Sequence, residues 1–182
     1  MSTCIMLIRH AEKPSANFGG VDEAGMHDSR SLSVPGWRRA GALVRYFGTA
    51  VDGGDGPVHC PRHIVAARPT NRHPSTRPRD TVKSLAGFLG LTIDDSWSDG
   101  DDLQALAHAL RSLDGTVLVC WRHDQLPRLA SELLPDDRIP AQWPAHRFDV
   151  TWSISFARGS GRFSQIPQSL LPGDSEEAIG GG

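Results

Sequence analysis

The sequence predicts an α/β fold in which helices flank a largely parallel central sheet. Three observations lead there. Short apolar runs such as CIMLI (4–8) and TVLVCW (116–121) read as buried strands. Segments with apolar residues at helical spacing recur between them, so strands and helices alternate along the chain. A length of 182 residues with 38% hydrophobic content suits one domain that buries its own core. That domain is expected over 1–172, with 173–182, ending in three glycines, as a flexible C-terminal tail.

The elements follow in order. After the strand at Cys4–Ile8, residues 10–35 read as a Gly-, Ser- and Asp-rich loop. Gly36–Phe47 places Trp37, Ala40, Leu43, Val44 and Phe47 at helical spacing, with Ser33 as N-cap and Pro35 in the first turn. Residues 48–62 read as a loop and Ile64–Ala67 as a second short strand. Asp80–Leu89 resumes helical spacing through Val82, Leu85, Ala86 and Leu89, and Gly90 is a natural stop. Asp101–Leu113 is the next helix, with aspartates in its first turn where the helix dipole favours them. Thr116–Trp121 is the clearest buried strand, Gln125–Leu134 a further helix, and Phe148–Ala157 and Arg162–Ile166 pair as late strands.

Composition excludes several classes. No apolar run approaches the ~20 residues of a membrane span. The stretch Cys4–Ile8 is too short for a signal-peptide core. Three widely spaced cysteines (Cys4, Cys60, Cys120) argue against a disulfide framework and fit a reducing cytoplasm. A net charge of −2 argues against general nucleic-acid binding. Of 19 basic residues only Lys13 and Lys83 are lysine; arginine dominates, and it is the side chain suited to forked contacts with oxyanions.

Ligands in parallel sheets sit beyond the carboxyl ends of the strands. Arg9-His10 directly follows the first strand and Arg122-His123 directly follows TVLVCW, so both pairs emerge on one rim. Arg62-His63 precedes its strand and belongs at the opposite rim, and Arg72-His73 lies in a loop with no geometric argument of its own. Two histidines and cationic neighbours converging on one rim make an anion pocket with an imidazole nucleophile, which suits phosphoryl transfer. A single histidine at a strand end more often only caps the strand. The segment Arg62–Arg79 is a second basic cluster kept irregular by Pro69, Pro74 and Pro78, and most of it reads as a solvated loop. Polyanion binding there is a weaker alternative. Arg77 stands just before the helix at Asp80, where it can share an anion with free backbone N–H groups.

Together these residues resemble the histidine phosphatase superfamily, the phosphoglycerate-mutase-like enzymes, and in particular its small bacterial members. The blocks that carry the resemblance are IMLIRHAEKP (5–14), SLSVPGWRRAGAL (31–43), STRPRDTVKSLAGFLGL (75–91) and TVLVCWRHDQLPRLASELL (116–134), with the ending FDVTWSISF and QIPQSLLPGD. The resemblance implies a three-layer α/β sandwich, a phosphohistidine intermediate on His10, a phosphoryl clamp from Arg9 and Arg77, and His123 completing the pocket. It implies no metal or other cofactor, and a small phosphoester as substrate. For the general acid, one branch of the family points to Asp124. The other takes a glutamate from the loop after the arginine helix; DDSWSDGDDLQ (94–104) has only aspartates there, of which Asp101 or Asp102 is nearest. Helix capping is the plainer role for those two, and Glu12 is a further candidate that more often orients a loop.

The resemblance favours a phosphatase acting on a small phosphomonoester. A phospho-ligand or partner-binding member without a competent acid is the alternative. A mutase is another, for which 182 residues is short. Substrate identity and oligomeric state are not encoded in any of these motifs. His59-Cys60-Pro61-Arg62-His63 does not suit a metal, because Pro61 breaks the helix that would align the histidines. Trp37 and Trp121 sit in core patterns, Trp97 and Trp143 border loops near a possible substrate mouth, and Cys120 belongs to an inert buried strand.

Overall fold

One sheet of six strands organises the residues that the computed structural model describes, which are 3–50, 56–157 and 160–180. In chain order the elements are β1 (Thr3–Arg9), α1 (Val34–Gly48), β2 (His63–Ala66), α2 (Arg77–Leu89), β3 (Ile93–Asp94), α3 (Leu103–Ser112), β4 (Gly115–Trp121), α4 (Leu126–Leu133), β5 (Val150–Ala157) and β6 (Ser160–Pro167). The strand order is β3-β2-β4-β1-β5-β6. The first four of these run parallel, and β5 and β6 complete the sheet as an antiparallel pair beside β1.

The apolar runs are continuous because both faces of β1 and β4 are covered. Ile5, Leu7, Val117, Val119 and Trp121 pack with α3 and α4 through Leu103, Leu106, Leu110, Leu126, Leu129 and Leu133. Their alternates Met6, Ile8, Leu118 and Cys120 pack on the other face with α1 and α2 through Leu43, Phe47, Val82 and Leu85. A one-residue slip of β1 against β4 would exchange these two sets, so the register Ile8↔Cys120 and Arg9↔Trp121 is strongly specified. The result is the anticipated α/β sandwich with a mostly parallel sheet between two helical layers.

Three helices begin away from the sequence expectation, α1 at Val34, α2 at Arg77 and α3 at Leu103. Ser33 caps α1 as expected, its hydroxyl accepting from Gly36 N at 3.3 Å, and the helix starts directly after it. At Gly36 an added Cβ would lie 2.4 Å from the Glu12 carbonyl oxygen, so only glycine lets this helix approach the chain just beyond β1. Helix α2 starts at Arg77 and not at Asp80, because Pro78 fits the first turn of a helix. It ends at Gly90, whose φ of 67° suits glycine.

Strand β3 was not foreseen; two residues carry no periodicity, and only pairing with Ile64 and Val65 defines it. Trp143 is buried against Trp152 with ring centroids 4.6 Å apart and so lines no substrate mouth. Trp97 packs on the same core from its edge. Part of the loop expected over 48–62 and the last two residues of the expected tail lie outside the described residues. Of that tail, Asp174 is bonded to Arg39, and Ile179 is buried with backbone hydrogen bonds to the Gln165 amide. No described helix is long and apolar enough to cross a membrane.

Candidate active site

The carboxyl ends of β1, β2 and β4 open onto one cavity of about 440 Å3. His10, Arg9, Arg77 and His123 all line it. Arg62-His63 lies at the far rim, where His63 Nε2 contacts the Asp114 carbonyl.

His10 is 6% exposed, and its backbone N–H donates to the Trp121 carbonyl, extending the β1–β4 ladder by one bond. Its Nδ1 lies 2.7 Å from the Ala11 carbonyl oxygen. A carbonyl only accepts, so Nδ1 carries the proton and Nε2 keeps the lone pair. Burial pushes the imidazole down to about 3, overriding the opposing Ala11 hydrogen bond, and the charges of Arg9 and Arg77 act in the same direction as burial. The ring is therefore a neutral base at physiological pH.

Arg9 is 2% exposed and lies over the Phe148 ring, 3.8 Å from its centroid. Nη1 donates to the carbonyls of Ala145 (2.6 Å), Arg147 (3.2 Å) and Pro144 (3.5 Å). Nε and Nη2 are buried and meet no acceptor among the described residues. Burial lowers the guanidinium to about 10, which leaves it charged. Two unsatisfied cationic donors on a residue that lines the cavity carry a desolvation cost that an oxyanion reaching them would remove.

Arg77 is the first residue of α2; its own N–H donates to Ser75 Oγ at 3.4 Å, Pro78 has none and Asp80 N donates to Thr76 O, so the guanidinium, not the helix start, is the anion donor here. Its Nε donates to Ser31 O at 3.3 Å and Nη2 to Ser29 O at 3.4 Å. Thr81 ties this helix to the chain just beyond β1, accepting from Ala11 N at 2.8 Å and donating to Arg77 O at 2.7 Å. His123 follows β4, half-buried; burial and then Arg9 push its imidazole toward the neutral form.

The residues considered as general acid stand elsewhere. Asp124 does not line the cavity, and its carboxylate is bound by Arg122 Nη2 at 2.9 Å and Nε at 3.2 Å. Burial raises its carboxyl, but the Arg122 hydrogen bond and charge prevail and hold it below the usual carboxylate range. Asp101 accepts from Ser98 N and Oγ, closing a turn, and Asp102 caps α3 through Gln104 N. Glu12 turns away and accepts from Arg39 Nε and Nη2 at 2.9 and 2.8 Å.

Two residues that sequence reasoning passed over do line the cavity. Asp99, with a side chain 6% exposed, stands on the turn that Asp101 closes, and His73 stands on the loop before α2. The only signal for Asp99 was its membership of the aspartate run; the Arg68–Ser98 bridge, which lays that run beside the end of β2, has no trace in the sequence. Among the described residues Asp99 is the single carboxylate lining the cavity, whereas Lys13, Arg30, Arg68, Arg72 and Arg122 join Arg9 and Arg77 as cations. Lys13, Arg68 and Arg72 form no side-chain ion pair among the described residues. The arrangement can bind a phosphoryl group on fixed donors and offer it an imidazole lone pair.

No family model matches the sequence, and no curated protein does. Solved structures match at the level of fold. A phosphoserine phosphatase from Entamoeba histolytica, in complex with phosphoserine, has a TM-score of 0.58 at 12% identity, over 93% of this chain and 99% of its own. An Escherichia coli K-12 protein assigned as an alpha-ribazole-5'-P phosphatase has a TM-score of 0.57 at 12% identity, over 93% and 99%. A protein from Agrobacterium tumefaciens assigned as the phosphohistidine phosphatase SixA has a TM-score of 0.51 at 14% identity, over 88% and 95%. The chain thus has the fold of histidine-phosphatase-type enzymes, the one its motifs resemble.

Proposed function

We propose that this protein is a phosphatase that hydrolyses a small phosphomonoester through a phosphohistidine on His10. The observation that carries this reading is the pairing, at one cavity, of a fixed Nε2 lone pair on His10 with Arg9, two of whose buried donors meet no acceptor among the described residues. Arg9, Arg77 and His123 hold the non-bridging oxygens of the substrate and the charge that develops on them. Nε2 attacks phosphorus as the ester P–O bond breaks, and water then cleaves the P–N bond, releasing phosphate and restoring the imidazole. The cations Lys13, Arg68 and Arg72 at the mouth, which form no ion pair among the described residues, favour entry of an anion. The fold neighbours named above as phosphatases of phosphoserine, alpha-ribazole-5'-P and phosphohistidine support hydrolysis and leave the substrate open.

A screen over many phosphorylated metabolites with wild type and His10→Ala tests the reading. Rapid alkaline quenching with labelled ester is expected to trap an acid-labile phosphoenzyme in the wild type alone. Turnover that survives in His10→Ala overturns the mechanism. Phosphate binding without turnover across the whole panel indicates a binding module in its place.

A further inference from the structure

We propose that His73, held by Asp99, is the proton donor to the leaving alcohol, an inference that rests on the phosphatase reading above. His73 Nδ1 lies 2.5 Å from Asp99 Oδ2. The same oxygen accepts from Arg122 Nη1 at 2.7 Å, and the Asp99 backbone carbonyl accepts from the Gln125 amide at 2.8 Å. Asp99 is thus fixed from α4 and from the end of β4, and it fixes the imidazole in turn. The His73 backbone is set by a turn in which Thr70 N donates to His73 O (2.9 Å) and His73 N donates to Thr70 Oγ1 (3.0 Å). Both side chains line the cavity, and His73 remains 41% exposed toward it and solvent.

The Asp99 carboxylate engages Nδ1, which leaves Nε2–H as the proton that His73 can deliver. The other imidazoles on the cavity are placed for different work. His10 has its Nδ1–H on a carbonyl, and His123 has no ion pair among the described residues and lies close enough to Arg9 to feel its charge. The four carboxylates expected from sequence are occupied by a cap, a turn, Arg39 or Arg122, outside the cavity. Asp99 itself is bound by the Arg122 guanidinium and the His73 imidazole, so it serves as the positioning residue and His73 as the donor.

In the first step the His10 Nε2–P bond forms and the ester P–O bond breaks. The bond pair moves to the ester oxygen, which takes the His73 Nε2 proton and departs as the alcohol. His73, now neutral with Nδ1–H on Asp99, accepts a proton from the water that attacks phosphorus. The P–N pair returns to His10, phosphate leaves, and both imidazoles are restored.

The test compares two leaving groups, because a donor matters only where the alcohol cannot depart as its anion. kcat/KM is measured for wild type, His73→Gln, Asp99→Asn and His10→Ala on p-nitrophenyl phosphate. The same is done on the best-used alkyl phosphate from a panel of sugar, polyol and amino-acid phosphates. His73→Gln is expected to lose about 10²-fold or more on the alkyl ester and under about 5-fold on p-nitrophenyl phosphate. Asp99→Asn is expected to show the same selectivity with a smaller loss. Retained p-nitrophenyl phosphate turnover shows that each variant is folded. Equal losses on both esters, or none, overturn the donor assignment while leaving His10 in place. A selective loss in Asp99→Asn with wild-type rates in His73→Gln makes Asp99 the donor and overturns the assignment to His73. If His10→Ala matches wild type, or wild type turns over neither ester, the phosphatase reading itself fails and this one with it.

Discussion

The Thr81 hydroxyl lies 2.8 Å from the Ala11 amide, joining the residue after His10 to the second turn of the helix that starts at Arg77. Both partners are buried, and the bond ties the strand that ends at His10 directly to the helix that carries Arg77. Thr81→Val keeps the shape and leaves the Ala11 N–H without an acceptor, a loss of about 1–3 kcal/mol. Urea unfolding of the variant is expected to show it, together with a lower kcat. An unchanged midpoint would mean that water satisfies this amide.

Acid stability carries the signature of His10. Its folded pKa is depressed to about 3, while an unfolded histidine titrates near 6.5. Between these values the unfolded chain binds more protons, so the stabilisation is full above about 6.5 and is lost as pH falls toward about 3. His10→Gln is expected to flatten the decline in unfolding free energy between pH 7 and pH 4 relative to wild type. Parallel pH curves for the two proteins would contradict the buried neutral imidazole.

Arg39 holds the chain end to the loop beyond β1. Its guanidinium, 3% exposed as a residue, bridges Glu12 at 2.8 Å and Asp174 at 2.6 Å, and Asp174 also accepts from Leu170 N and Leu171 N. Arg39→Met strands two carboxylates and is expected to cost about 3–5 kcal/mol. Burial raises the Asp174 carboxyl, but the Arg39 bonds lower it further, so this contribution is present above the ordinary carboxylate pKa and disappears as pH falls through the depressed value. Thermal unfolding at neutral and acidic pH measures both effects, with the variant closer to wild type in acid.

Anion binding should read out the clamp without catalysis. Inorganic phosphate is expected to raise the Tm of the wild type by mass action and to leave Arg77→Met unmoved. The same variant is expected to lose about 10²–10³-fold in kcat/KM, the range for removing one transition-state donor. A phosphate-dependent Tm shift that persists in Arg77→Met would place the anion elsewhere.

Electrostatic entry predicts a salt effect. kcat/KM is expected to fall as ionic strength rises, and the slope to flatten in Arg68→Ala/Arg72→Ala, whose exposed guanidiniums lack ion pairs among the described residues. Identical slopes would assign the rim arginines no part in encounter.

How much of this was legible in the sequence follows from what each residue depends on. β1 and β4 were readable because both faces are buried, which writes a continuous apolar run, and His10 and His123 were readable because they follow those runs. Arg77 needed the family pattern, since a proline-broken segment gives no period; the structure begins α2 at that residue. Asp99 and His73 were not legible. Their contact joins two loops 26 residues apart, and neither loop has a pattern that fixes its path. Ile179 was hidden by a different cause: its burial comes from paired hydrogen bonds to Gln165, while the composition around it suggests only looseness.

Arg9 reaches the chain at Pro144, Ala145 and Arg147 solely through main-chain carbonyls. Any side chains compatible with that bend would offer the same three acceptors. Apart from Arg147, whose guanidinium binds Asp149 and the Glu177 carbonyl, the segment therefore has latitude in its amino-acid identities and very little in its length. Divergent relatives should preserve its span while varying its letters, which is the kind of constraint that substitution-based comparison overlooks and that an insertion or deletion of one residue would expose at once.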